Sequence, residues 1–350
     1  MADRELSEAE SEPSRSPHPV PNSPGSSQPG LPTPGSSQPG SPRPTDRAVA
    51  AAAAGLLALV RRLPPERAVA AGGWLGRSYA RLHGPRTEVG RINLRIAFPE
   101  WSEERRAAVL ERSLDHLARG LVEFAQLSTL DPAALRERVA IKGMEHLDAA
   151  RKASRTGGVV MLTGHFGSWE LLSVAMSAAG VPVAVVHRPR DNPALDAVVN
   201  GLRSARGSLM LPRGSAARAA LRALRDGKCL AMPYDQNCRR NEGVFVPFFG
   251  RLACTRDGPP RVAMRTGAPV VPIFLHRQPD GFRHVARILP ALEMAPEGDD
   301  KRAAIAENAR RMTRVIEAEI RRAPDHWTWI HRRFRTQPPG EPRPYPSRRR

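Results

Sequence analysis

The stretch Thr163-Gly-His-Phe-Gly-Ser-Trp-Glu170 holds the pair of side chains best suited to chemistry in this sequence, His165 and Glu170. An imidazole can take a proton from an attacking hydroxyl. A carboxylate on its other ring nitrogen fixes the tautomer and stabilises the imidazolium that forms. Such a pair supports attack of a hydroxyl on a thioester with no nucleophilic residue on the protein. On one continuous helix the five-residue spacing would be about 500° of rotation, leaving the side chains about 140° apart. They meet only if His165 lies in a turn ahead of the helix, which Gly164 and Gly167 permit. No second His lies one helical turn away, as a metal site on a helix would need, which favours the acid–base reading of the pair over metal binding.

The surrounding pattern supplies that turn. Gly158–Leu162 reads as a buried strand and Ser168–Ala179 as a helix. Downstream, Val181–Val186, Ser208–Leu211 and Lys228–Met232 read as strands alternating with helices at Ala194–Arg206 and Ala216–Arg225. Pro269–Leu275 and His284–Leu289 add two more strands, and Arg302–Arg322 is a long final helix. This alternation predicts an α/β fold, a largely parallel sheet flanked by helices, with its site beyond the carboxyl ends of the strands. His165, Arg188 and Asp235 each follow a predicted strand, so they can share one rim. The fixed charge of Arg188 suits an oxyanion or a phosphate; the alternative is a surface ion pair. Asp235, beside Gln236, can pair with Arg188 or accept a substrate hydroxyl; the alternative is a turn-forming Asp. Val244–Phe249 suits either an acyl-chain channel or plain core packing.

The rest of the chain bounds the class of partner. Its 350 residues carry a formal net charge of +19, which favours anionic partners such as phospholipid headgroups or an acidic carrier protein. Nothing in it resembles an RNA-recognition or helix-turn-helix signature, and its basic residues are spread along the whole length, so nucleic acid is not an expected partner. Cys229, Cys238 and Cys254 are odd in number and have no metal-ligand spacing, so neither a disulfide framework nor a zinc knuckle is expected. Residues 1–46 form a Pro/Ser/Gly-rich leader too poor in apolar residues to order itself. Ala48–Val60 is apolar but shorter than the roughly 20 residues of a spanning helix. Ala68–Leu82 mixes Trp74, Leu75 and Tyr79 with Arg67, Arg77 and Arg81, as a helix lying in a headgroup layer would; the alternative is that both stretches are ordinary amphipathic helices packed on a soluble domain. Ser102–Gln126 reads as a helix capped by Ser102. Trp327, Trp329 and Phe334 stand among Arg332, Arg333 and Arg335, again as expected at a lipid headgroup boundary; the alternative is a solvated basic end.

His165-Phe-Gly-Ser-Trp-Glu170 resembles the His-x4-Asp/Glu motif of glycerolipid-type acyltransferases. More closely, the chain resembles the lipid A biosynthesis acyltransferase family, on Val186–Pro193, Pro233-Tyr-Asp-Gln236, Val244–Gly250 with Gly267–Pro272, His326–Arg335, and Asn93–Pro99. The segments stand in the expected order over roughly residues 48–338. The resemblance implies transfer of a fatty acyl group from acyl carrier protein, or coenzyme A, to a hydroxyl of a lipid A precursor at the cytoplasmic face of the inner membrane. Another membrane lipid, such as a lysophospholipid, a phosphatidylinositol mannoside or an ornithine-type lipid, is the alternative acceptor. The resemblance implies His165 as base, Glu170 as its orienter, Arg188, Asp235 and Gln236 as substrate-binding residues, and no metal or prosthetic group. The expected organisation is a leader (1–46), a helical membrane-associating region (47–138), an α/β acyltransferase domain (139–338) and a basic tail (339–350).

Overall fold

A computed structural model describes residues 43–187, 192–204, 209–212 and 216–346. Nearly all of the expected leader, Arg188 and the closing Arg348–Arg350 lie outside these residues. The described chain opens with four helices, α1 (Pro44–Arg62), α2 (Pro65–Ala80), α3 (Pro85–Ala97) and α4 (Glu103–Gln126). Three of them begin on a proline, whose missing N–H and fixed φ suit a first helical position. Ser102 caps α4, its hydroxyl accepting from Arg105 N at 3.3 Å. Short α5 (Pro132–Arg138) leads into strand β1 (Val139–Lys142).

From there strands and helices alternate: α6 (Met144–Ala153), β2 (Val159–Thr163), α7 (Trp169–Ala178), β3 (Val183–His187), α8 (Pro193–Ser204), β4 (Leu209–Pro212), α9 (Ala216–Arg225) and β5 (Cys229–Pro233). A hairpin, β6 (Gly243–Phe248) and β7 (Arg251–Arg256), precedes α10 (Gly258–Thr266), β8 (Val270–Arg277), β9 (His284–Ile288) and α11 (Lys301–Arg322). The seven-stranded sheet has the order β1-β9-β8-β2-β5-β3-β4. Its strands are parallel except at the β8–β9 junction, which is antiparallel. The α/β class expected from the alternation is therefore the observed one.

β2 lies centrally, and all five of its residues are buried. Its side chains alternate between two cores. Val160 and Leu162 join Leu230 and Phe274 on one face; Val159 and Met161 join Leu171 and Ile273 on the other. The period of two thus fills both sides of a fully covered strand. Val246 and Phe248 of β6 belong to the first core, with Phe334 and Trp327, so the Val244–Phe249 run is core packing. Trp327, Trp329 and Phe334 are each about 1% exposed and Arg333 is fully buried. This corrects the expectation that the C-terminal block faces lipid headgroups. Its aromatics fill the core because β6, α3 and the site turn close over them. Arg333 is satisfied by the Cys254 carbonyl at 2.8 Å and the Thr255 hydroxyl. Residues 339–346, grouped in sequence with the basic tail, also carry a packed side chain: Tyr345 is buried, and its hydroxyl donates to Asn93 Oδ1 at 2.6 Å.

Among the described residues no helix is long and apolar enough to cross a membrane. α2 is packed in an unusual sense. Its small face, Ala68, Val69, Gly72, Gly73 and Gly76, is buried. A Cβ on Gly76 would collide with the Leu114 carbonyl of α4. The large apolar residues Trp74 (61% exposed), Leu75 (59%) and Tyr79 (40%) consequently point outward.

Candidate active site

The sheet register puts the key residues together. Thr163, last residue of β2, lies beside Pro233, last residue of β5. Two residues beyond each strand end come His165 and Asp235, so a parallel pair delivers both to one rim. His165 Nδ1 lies 2.8 Å from Asp235 Oδ1, and the His165 backbone N–H donates to Oδ2 at 2.9 Å. Trp327 Nε1 also donates to Oδ2, at 2.8 Å.

The turn that carries His165 depends on glycine and on the C-terminal block. Gly167 has φ +57°, in the left-handed region, and a Cβ there would collide with the Leu275 carbonyl. Gly167 N donates to His326 O at 2.7 Å, and the His165 carbonyl accepts from Thr328 N at 3.1 Å and Thr328 Oγ1 at 3.0 Å. Residues 326–328 thus clamp the turn from behind.

Glu170 occupies the first turn of α7, as expected, but its carboxylate is turned to α8. Arg203 Nε donates to Oε2 at 2.9 Å, and Arg203 Nη2 to Oε1. In this arrangement the carboxylate on the His165 ring is Asp235, which corrects the expected His165–Glu170 hydrogen bond. The cause is geometric: the Arg203 fork takes both oxygens of Glu170, while Asp235 arrives on the neighbouring strand already aligned with Nδ1. Glu170 still acts on His165 through its charge. Arg188, expected at this rim, lies outside the described residues. Gln236, expected at the site, is there: its Nε2 donates to His165 Nε2 at 3.1 Å.

These contacts fix the protonation pattern. Burial disfavours the His165 imidazolium, but the charge and hydrogen bond of Asp235, joined by the charge of Glu170, outweigh it and raise the pKa above 6.5. Burial likewise opposes ionisation of Asp235, and His165 and the hydrogen bonds around it reverse that, holding the carboxyl well below its usual range. A carboxylate on Nδ1 leaves the proton there and the lone pair on Nε2, the nitrogen on the cavity side. The cavity has a volume of about 1580 Å³ and is lined by His165, Trp169, Glu170, Arg203 and Gln236 among others. Met161, Leu172, Val185 and Ile273 give it an apolar end, and Tyr79, Pro85, Arg86 and Arg332 form part of its wall.

His165, carrying a carboxylate on Nδ1, is thus set beside a cavity whose lining includes apolar side chains and several arginines. A model of the bacterial lipid A biosynthesis acyltransferase family matches residues 41–336. The chain belongs to that family. It is 30% identical over 294 residues to the lipid A biosynthesis lauroyltransferase of Escherichia coli (strain K12), covering 83% of this chain and 92% of that protein. It is 29% identical to the palmitoleoyltransferase of the same strain, over 73% and 81% of the two chains. The corresponding figures for that strain's myristoyltransferase are 27%, over 77% and 82%. Membership makes the chain an O-acyltransferase.

One group of side chains has the composition of a metal site, His116, Asp325 and His326. His326 Nε2 accepts from the Arg277 backbone N–H at 3.0 Å, and its Nδ1 faces Asp325 Oδ1 at 2.9 Å. The proton therefore sits on Nδ1, leaving that nitrogen no lone pair for a metal.

Sequence reasoning missed three parts of the site. The role of Asp235 as the partner of His165 was legible only in hindsight, in the equal two-residue offsets from the two strand ends. Arg203 gave no signal, because nothing in a helical Arg marks the carboxylate it will meet. The clamp by residues 326–328 was masked by an aromatic-basic composition that reads equally as membrane-facing.

Proposed function

We propose that the enzyme transfers a fatty acyl group from acyl carrier protein, or from coenzyme A, to a hydroxyl of a lipid A precursor, with His165 as general base. The observation that carries this reading is the His165 ring, whose Nδ1 is tied to Asp235 at 2.8 Å so that the neutral tautomer presents the Nε2 lone pair at a large cavity.

The acceptor hydroxyl displaces the Gln236 amide from Nε2, loses its proton to that nitrogen and attacks the thioester carbonyl carbon. The carbonyl π pair moves onto oxygen. Collapse breaks the C–S bond, and the departing sulfur takes the proton back from His165. Asp235 holds the tautomer and balances the imidazolium. Glu170, paired with Arg203, adds a partly neutralised negative charge beside the ring.

The apolar end formed by Met161, Leu172, Val185 and Ile273 suits the donor chain. Arg86 and Arg332 suit phosphate on either substrate. The net charge of +19 suits the acidic carrier protein. The outward Trp74, Leu75 and Tyr79 of α2, with Leu56 and Leu59 of α1 and exposed Arg61, Arg62 and Arg67, suit shallow binding in an anionic headgroup layer. Tyr79 also lines the cavity, so a lipid acceptor can pass from that layer to the site. The cytoplasmic face of the inner membrane, where an acyl carrier protein is available, is the location this reading requires.

Mass spectrometry of lipids from a deletion strain tests the acceptor. Lipid A lacking one acyl chain is the expected result. Unchanged lipid A, with a chain missing from another membrane lipid, would overturn it.

A further inference from the structure

Asp235, Gln236 and Asn237 are consecutive, and between them they hold two imidazoles. Asp235 takes His165 Nδ1 and Gln236 takes His165 Nε2. The Asn237 backbone N–H donates to His331 Nε2 at 3.0 Å. His331 lines the same cavity as His165.

Both rings therefore carry their proton on Nδ1, but the carboxylate holds His165 at Nδ1 while a backbone N–H holds His331 at Nε2. His165 carries its proton on Nδ1 and offers Nε2 as an acceptor. His331 must accept at Nε2, so its proton sits on Nδ1. Among the described residues the hydrogen bonds of His331 are made by its Nε2 and its backbone carbonyl, and none by that Nδ1–H. One ring can receive a proton, and the other offers a hydrogen bond.

We propose that His331 is a second catalytic imidazole, whose Nδ1–H binds the carbonyl oxygen of the acyl donor as negative charge builds on it. This rests on the acyl-transfer reading above and assigns the oxyanion donor that reading leaves open. In the step, the acceptor oxygen bonds to the carbonyl carbon and the displaced π pair goes to oxygen, where the Nδ1–H hydrogen bond shortens. His331 keeps its proton throughout, and the proton that moves is the one shuttled by His165. A neutral donor suits this task, because it stabilises the oxyanion without adding a charge that would depress the basicity of His165.

Burial supports that neutrality. It lowers the His331 pKa to about 4, with the charges of His165, Arg333 and Arg86 pushing the same way against the opposing charge of Asp235. The ring is held in place from its backbone as well: the His331 carbonyl accepts from Asn93 Nδ2 at 2.8 Å. The loop following Asp235 is anchored by Asn237 Nδ2 to Thr336 Oγ1 at 3.1 Å and by Thr336 N to Asn237 Oδ1 at 3.0 Å.

Two substitutions separate donor from scaffold. His331→Gln places an amide near the Nε2 position, where its oxygen still accepts from Asn237, and removes the donor at Nδ1. His331→Asn places an amide nitrogen near the Nδ1 position and gives up the Asn237 contact. Steady-state acyl transfer from acyl carrier protein to a lipid A precursor is measured for the full chain and both variants, with thermal melting as the check on folding. His331→Gln should lose about 10²–10³-fold in kcat with KM changed only a few-fold, the loss typical of one oxyanion donor. His331→Asn should stay at least tenfold above it. His331→Gln within threefold of the parent, or both variants equally impaired, would overturn the assignment while leaving the acyl-transfer reading intact. A parent enzyme with no acyl transfer from either donor would overturn that reading and this assignment together.

Discussion

Asp235, not Glu170, holds the ring of His165: Oδ1 lies 2.8 Å from Nδ1, and Oδ2 accepts from the His165 backbone and from Trp327 Nε1. One buried carboxylate thereby fixes the tautomer, the ring and the turn. Asp235→Asn keeps the shape and loses the charge. It should lower kcat by about 10³–10⁴-fold, as tautomer loss does in other His–carboxylate pairs. The residual pH–rate limb should move to lower pH, because the charge that raises the His165 pKa is gone. A pH–rate profile of the variant checks both.

The relation was half legible in sequence. The strand before His165 and the strand before Asp235 were both visible as short apolar runs, and the α/β class followed from their alternation. The order of the sheet was not, because periodicity says which residues are buried but not which strands are neighbours. Once β2 and β5 are adjacent and parallel, His165 and Asp235 meet. The Glu170 expectation failed for a similar reason: a local motif cannot reveal that α8 brings Arg203 to the same carboxylate. The Trp327–Phe334 block misled because Trp beside Arg has the same composition in a core as at a membrane.

The Glu170–Arg203 pair should tune the base through charge. Glu170 raises the His165 pKa and Arg203 lowers it. Activity needs His165 neutral, so it rises with pH through that pKa. Arg203→Met should move the limb to higher pH and Glu170→Gln to lower pH. Limbs that stay at the parent position would show that the pair has no electrostatic part in the reaction.

Trp327 supports the site from the core. Trp327→Phe conserves most of the volume and deletes the indole N–H to Asp235 Oδ2. Leaving that buried acceptor one donor short should lower unfolding free energy by about 1–3 kcal/mol, measured by urea denaturation. The activity loss should be smaller than for Asp235→Asn, since the other carboxylate contacts remain.

Acid sensitivity follows from two buried imidazoles. Burial is the chief cause that lowers His116 to about 3 and His331 to about 4 from 6.5. Below 6.5 the unfolded chain binds protons that the folded chain refuses, so stability falls by about 1.4 kcal/mol per pH unit for each group. His165 has the opposite sign: its raised pKa adds stability below 6.5, lost as pH climbs through the folded value. His116→Gln should make the decline between pH 6.5 and 4 shallower by one titrating group in denaturation curves.

Membrane binding should reside in α2. Trp74→Ser with Leu75→Ser removes exposed apolar area without touching the Gly-rich face that packs on α4. Co-sedimentation with anionic vesicles should drop several-fold while the melting temperature holds. Unchanged sedimentation would move the membrane contact elsewhere on the molecule.

The most direct measurement is acyl transfer from acyl carrier protein to a lipid A precursor by purified His165→Ala, compared with the parent at matched folded fraction. Loss of at least 10³-fold in kcat, with the melting transition retained, is the predicted result. A folded His165→Ala variant transferring acyl groups within a few-fold of the parent would contradict His165 as the base.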